Sequence, residues 1–364
     1  MTYYIMNKDE KVLFFTITDN STDFNIEIMG VYNESLVPFS LRNKKNIQNW
    51  LELRLLGLNR LDLWYNVNND GVKILQSLTD MTHFISLTDT YWVKKEGSEI
   101  KRSEISPYSI IDNNIFSGQF IQLNGCVNIL GRYLIDPFIS GCWHKIDNTI
   151  YYYKRDYYIQ QGVTCKMSPY AEYYASQLAQ FLGLQAVEYE LTEFDNTTCT
   201  RSKCLSNEKT GICMLEDINI RIGVKDTENL FMTDFGEDMN ISCQKLLDIM
   251  IIDFLTLNID RTTNNTAVFF DTDTLELKGL CIAFDFNRAL ASNIEKYGDL
   301  GKYIELNRLR VNTLMERFKY ILSVDGDYVK SKINKASTYT FTGLHSSTAN
   351  EVLRHQLELA YSML

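Results

Sequence analysis

An α+β chain is expected from the sequence, and three observations carry that expectation. Apolar alternation of period two marks strands near the start, in "KVLFFTIT" and "DFNIEIMGVYN". A strand pair followed by a well-punctuated helix occupies the middle. Helical spacing then dominates the rest. No repeat recurs at a fixed period.

In chain order, a mixed α/β subdomain is expected over 1–135. Within it, "NIQNWLELRLLGLNR" has helical spacing at Trp50, Leu51, Leu53, Leu55 and Leu56, with Gly57 as its stop. "MTHFISLTDTYWVKK" reads as a short strand, a capped turn, then aromatics. Asp89 and Thr90 would satisfy the turn's backbone. A second region, 136–215, opens with a small-residue turn at Ser140-Gly141. A strand pair about Asp147-Asn148 follows, then a helix from "SPYAEYYASQLAQFLGLQ". Ser168 would cap that helix, Pro169 suits its first position and Gly183 its end. Strands are expected in "AVEYELTEF" and "GICMLEDINI".

The third region, 216–364, is predicted to be mostly helical. "SCQKLLDIMIIDFLTLN" starts at a capping Ser242 and is apolar on nearly every face, the mark of a buried helix. After the polar octet "NIDRTTNN", 258–265, come two apolar strands, "TAVFFD" and "LKGLCIAFD", joined by "TDT". Amphipathic helices complete the chain.

Composition excludes several classes. With 45% hydrophobic and 23% charged residues the chain is an ordinary globular one. Its net charge of −10 argues against direct nucleic-acid binding, which needs clustered Lys and Arg. The start meets charges within eight residues, and the longest apolar run, "IMIIDFLTLN", is broken by Asp253 and too short to span a bilayer. A cytoplasmic protein without membrane contact is expected. The eight cysteines form no CxxC pairs and are expected as free thiols.

The chemistry is carried by the octet and the hairpin after it. Asp260 and Asn265, five residues apart, precede a hairpin that ends at Asp285. Two carboxylates and an amide oxygen are hard ligands suited to magnesium, which binds phosphates through one or two carboxylates. This spacing is that of a kinase catalytic loop and metal loop, one Asp deprotonating the attacking hydroxyl while the Asn and the later Asp hold metal. Upstream, Lys154 ends the strand "TIYYYK" and Glu172 lies early in the next helix, so a lysine–glutamate pair is expected. Small-residue turn, strand lysine, helix glutamate, catalytic loop and metal aspartate come in the order of a two-lobed kinase.

"NIDRTTNN" with "CIAFDFNRAL" resembles the HipA-like serine/threonine kinases, whose pattern is Asn-x-Asp-Arg-His-x-x-Asn, a strand, then a metal-binding Asp. "SLTDTYWVKK", "ISGCWHK", "IYYYKRD" and "AEYYASQLAQFLGL" look like the stretches that precede it in stand-alone members. The resemblance covers roughly 45–295. It implies a two-lobed protein-kinase-like fold with a mixed α/β N-terminal subdomain and a mostly helical C-terminal lobe. It also implies an ATP- and magnesium-dependent serine/threonine protein kinase. Asp260 would be the catalytic base, Asn265 and Asp285 the magnesium ligands, Lys154 the nucleotide-phosphate lysine, and Glu172 its orienting partner. Ser140 and Gly141 would lie in the phosphate-covering loop, with Ser140 a candidate for autophosphorylation. The adenine would lie against 203–217. A toxin-like role is implied by the same resemblance, with a small helix-turn-helix antitoxin-like partner and a protein substrate bearing a Ser or Thr hydroxyl. One departure is Thr262, where the family has histidine. It favours an alternative reading, a pseudokinase or nucleotide-binding interaction protein.

Overall fold

Mixed α+β structure fills the described residues of the computed structural model. These are 1–20, 23–44, 46–55, 79, 82–109, 135–136, 141–155, 158–159, 163–164, 166–194, 196–218 and 239–364. They divide into two units, one of Met1–Tyr152, Lys203–Cys213 and Phe270–Glu276, the other of Tyr153–Ser202, Met214–Phe269 and Leu277–Leu364. Gly57, the expected helix stop, lies outside the described residues, as does Ser140.

The first unit is built on an antiparallel sheet of β1 (Thr2–Asn7), β2 (Glu10–Asn20), β3 (Asp23–Val31) and β4 (Tyr91–Lys95), in the order β3-β2-β1-β4. Alternation sets the register. Tyr3 pairs with Phe15 and Ile5 with Leu13 across β1 and β2, and all four are fully buried. Helices α1 (Phe39–Lys44) and α2 (Ile47–Leu55) follow β3.

The stretch before β4 differs from expectation. The chain turns through 82–90, and the aromatic run itself is the strand. The cause is Arg54 of α2. Its guanidinium meets Asp89 in two bonds of 2.7 Å and donates to Phe84 O at 2.6 Å and Tyr91 O at 2.9 Å. A turn held this way needs no strand partner. Trp92 then packs with Met6, Ile85, Leu87, Ile105 and Ile150. Ile105 ends the short helix α3 (Arg102–Ile105).

The middle of the chain forms β5 (Ile135–Asp136), β6 (Gly141–Ile146) and β7 (Thr149–Arg155). Asp147 and Asn148 turn between β6 and β7 at φ +46° and +66°, the left-handed pair a two-residue hairpin needs. A small hairpin, β8 (Tyr158–Ile159) with β9 (Val163–Thr164), precedes α4 (Ser168–Leu182). Gly183 ends α4 at φ +71°, as predicted. Ser168 does not cap it: Met167 is the boundary residue and Ser168 is the first helical one. Both are buried, so packing selects this start. Strands β10 (Glu190–Phe194) and β11 (Thr197–Lys203) complete a sheet in the order β10-β11-β7-β6-β5.

β12 (Thr210–Met214) leads on to α5 (Met239–Leu255), which starts three residues before the expected Ser242. Leu246, Leu247, Ile249, Met250, Ile251, Ile252, Phe254 and Leu255 of α5 are all buried, as a helix apolar on every face requires. β13 (Ala267–Asp271) and β14 (Leu277–Leu280) form the expected hairpin, in the sheet order β12-β13-β14, but β14 stops at Leu280, so Asp285 follows in a loop instead of ending the strand. Four helices close the chain: α6 (Leu300–Leu306), α7 (Arg308–Val324), α8 (Gly326–Ala336) and α9 (Ser346–Met363). Phe254 of α5 stacks on Phe318 of α7 with ring centroids 3.7 Å apart. Among the described residues no helix is long and apolar enough to cross a membrane.

Candidate active site

Strand β7 ends by delivering Lys154 into the interior of the second unit. Its Nζ lies 2.6 Å from Glu172 Oε1 and 2.5 Å from Asp285 Oδ1. Three sequence-predicted residues, from a strand, a helix and a loop, thus form one ion cluster. Glu172 sits in the second turn of α4 and is almost wholly buried. Its second oxygen accepts from Thr200 Oγ1 of β11 at 2.8 Å. The carboxylate is thereby held on both oxygens and cannot swing away from the lysine.

Asp285 is positioned by backbone. Residues 185–187 and 283 form a short parallel pairing, with Val187 N to Ala283 O at 2.7 Å and Ala283 N to Gln185 O at 3.1 Å. Gln185 N in turn donates to Asp248 of α5 at 2.9 Å. Asp285 itself adopts φ +59°, a left-handed conformation that Asp tolerates better than most residues. Its N–H donates to the buried Tyr189 hydroxyl at 3.0 Å.

The octet 258–265 leaves α5 through Leu257 at φ +51°. Asn258 Nδ2 then donates to Asp253 Oδ1 at 2.8 Å. Arg261 turns inward rather than to solvent. It makes a two-point ion pair with Asp253 at 2.8 and 2.9 Å, and both side chains are 3% exposed. Its Nη1 donates to Phe284 O at 2.7 Å and also to Asn265 O. Arg317 of α7 donates to Arg261 O at 3.2 Å. One guanidinium therefore ties the helix, the far end of the octet and the residue before Asp285.

Asp260 faces the other way. Its Oδ1 lies 3.3 Å from Arg288 Nη1 and 3.1 Å from Arg310 Nη1. Asn265 donates Nδ2 to Asp260 O at 2.8 Å, which closes the octet and leaves its Oδ1 as the end able to meet a cation. Thr262 is exposed, and its hydroxyl accepts from Asn264 N at 3.3 Å. Gly141 begins β6, and a Cβ on it would overlap the Tyr152 hydroxyl, so ring packing already demands a glycine there. Among the described residues, the cysteines 199, 204, 213, 243 and 281 form no disulfide.

Electrostatics within the cluster are unequal. Burial pushes Glu172 above its ordinary range, against the pull of Lys154. Burial also opposes the charge on Asp285, but Lys154 and Arg261 more than offset it and hold that carboxyl below its ordinary value. Burial raises the Tyr189 hydroxyl, and the negative charge of Glu172 adds to it. For Arg261, burial disfavours the cation, yet Asp253 overcomes that cost and keeps it firmly charged. Chemically, the cluster is a buried ammonium held against a carboxylate that has hard oxygens to offer a cation. That donor set fits magnesium together with phosphate oxygens. Among the described residues no three His, Cys, Asp or Glu side chains gather as a metal cluster.

Sequence reasoning missed Arg261, Asp253, Thr200 and Tyr189. An aspartate interrupting an otherwise apolar helix was the available signal, since a buried acid needs a buried base.

No family model matches the chain, and no curated protein sequence is similar to it. Among solved structures it is similar to the Helicobacter pylori proinflammatory kinase CtkA, at 12% identity and a TM-score of 0.43, over 64% of this chain and 90% of that one. It is also similar to a chain of the Shewanella oneidensis MR-1 toxin–antitoxin complex of HipA, HipB and operator DNA. That similarity is at 10% identity and a TM-score of 0.42, over 99% of this chain and 96% of that one.

Proposed function

We propose that the chain is an ATP- and magnesium-dependent kinase of HipA-like type that transfers the γ-phosphate to a serine or threonine hydroxyl of a protein. The observation that supports this most is Lys154 Nζ held between Glu172 and Asp285, with the residue before Asp285 tied to the octet through Arg261. Within this reading Asp260 accepts the proton of the acceptor hydroxyl as its oxygen attacks. Lys154 keeps Glu172 as its partner and turns its remaining N–H donors to the phosphates. Asp285 and Asn265 would hold magnesium, which supplies positive charge to the phosphate oxygens. Residues 136–215 and 216–364 would serve as the nucleotide-covering and catalytic parts. Ser140 is the proposed site of autophosphorylation.

The test is transfer of label from ATP. Asp260→Asn is expected to reduce the rate on the order of 10²–10⁴-fold through loss of the base. Equal labelling by wild type and variant would refute the assignment. Thr262 favours the second reading, a pseudokinase or nucleotide-binding interaction protein. A magnesium-dependent thermal shift with ATP, without transfer by the wild type, would establish it. Against it stands the bracing of the octet by Arg261, which does not use the side chain at 262. A toxin-like role under a small helix-turn-helix partner belongs to the same proposal and rests on the sequence resemblance alone. Relief of a growth defect by a co-expressed partner of that kind is its test.

A further inference from the structure

The surroundings of Asp260 carry more than the transfer step uses. Arg288 and Arg310 converge on one oxygen of its carboxylate, at 3.3 and 3.1 Å. Neither is buried: their side chains are 39% and 52% exposed, against 21% for Asp260. Beside Arg310, where α6 gives way to α7, the chain leaves two leucines in water. Leu306 is 69% and Leu309 79% exposed, the highest values among the large exposed apolar side chains of the described residues. Arg308 lies exposed between them, and Glu305 is the neighbouring exposed acid. Single exposed leucines are ordinary, but here two flank the exposed Arg308. The second is followed by Arg310, which reaches the candidate base Asp260, so apolar and cationic side chains alternate along one exposed stretch. In a chain of net charge −10 such a patch selects for anions locally.

We propose that Arg288 and Arg310, with Leu306 and Leu309, dock the phosphoacceptor as a protein segment bearing an acidic side chain beside the hydroxyl and an apolar one further along. This rests on the kinase reading of Asp260 and names its substrate class. Exposed ion pairs are weakly held against water. An incoming carboxylate exchanges for Asp260 on the two arginines, and Asp260 is released to take the hydroxyl proton. The oxygen–phosphorus bond then forms as the bond to the leaving diphosphate breaks. The acceptor that carries the anion thereby frees the base that activates it.

The experiment measures binding and transfer separately, with the full chain and fluorescein-labelled serine peptides. One peptide carries Glu beside the serine and Leu further along; a second replaces Glu with Lys; a third replaces Leu with Ser. The Glu/Leu peptide is expected to bind about 10-fold or more tightly than the Lys peptide, as charge complementarity at a rim provides. The double variant Arg288→Ala/Arg310→Ala is expected to lose that preference, and Arg310→Glu to reverse it. Leu306→Ser/Leu309→Ser is expected to abolish the advantage of Leu over Ser and leave the charge preference intact. Asp260→Asn is expected to transfer phosphate on the order of 10²–10⁴-fold more slowly yet bind the acidic peptide at least as tightly as wild type, because the arginines lose their internal carboxylate. Equal binding of the Glu and Lys peptides, or a preference that survives in the double arginine variant, overturns this inference even if the peptides are phosphorylated. Charge-selective binding without any transfer by the wild type retains the docking surface and overturns the kinase reading instead.

Discussion

Arg261 is the residue on which the site geometry turns. A lysine at 261 would keep the charge but not the fork that reaches Asp253 twice and two carbonyls besides. Arg261→Lys is therefore expected to cost about 2–3 kcal/mol, the scale of a charged hydrogen bond lost with its partner left buried. Urea denaturation measures this. On the proposed kinase reading phosphoryl transfer falls with it, because the octet loses its tie to the residue before Asp285. Lys154 presents the complementary case: its two carboxylates sit on an α-helix and a loop, and only Glu172 is locked by a second bond, from Thr200. The lysine thus has one partner fixed on both oxygens and one that, on the proposed reading, a cation takes.

Among the elements, two glycines separate packing from conformation. Gly183 ends α4 in a left-handed conformation, and a Cβ there would meet nothing closer than Lys332 Nζ at 3.9 Å. Gly183→Ala is expected to cost about 1 kcal/mol, all of it backbone strain. Gly141 is the opposite case, with the Tyr152 ring where a Cβ would go. Gly141→Ala is expected to cost about 1–3 kcal/mol by overpacking. A thermal melt of that variant with unchanged midpoint would return the glycine to a phosphate-covering role alone. Helix α5 does two jobs, supplying core and holding Asp253 and Asp248 beneath the site loops. Phe254→Ala is expected to destabilise by about 3–5 kcal/mol, as for other buried aromatics.

For the molecule taken as one, the ion cluster makes stability depend on pH. The folded chain holds Asp285 below its ordinary value, so its contribution is present above the unfolded carboxylate range. That contribution is lost as pH falls below about 4 and through the lowered value. Glu172 is raised and acts in the opposite sense, its charge being a cost that grows with pH. The stability gap between wild type and Asp285→Asn is therefore expected to be largest near neutrality and to close in acid. Denaturant titrations at both pH values test it; a constant gap would mean that Asp285 gains nothing from Lys154.

Local sequence was enough for the elements: the alternating strands of the first sheet, the Asp147-Asn148 turn, the buried α5 and the hairpin after the octet. Each is a matter of side-chain period and backbone preference within a few residues. The order of Lys154 and Glu172 along the chain also anticipated their ion pair. Long-range folding alone brings Asp285, 131 residues away, onto the same lysine. The same is true of the inward turn of Arg261 onto Asp253, and of the two arginines that Asp260 faces. Those contacts join segments with no shared periodicity. Whether an arginine is a buried brace or a solvated surface charge depends on which carboxylate the fold brings within about three ångströms, and local spacing does not encode that.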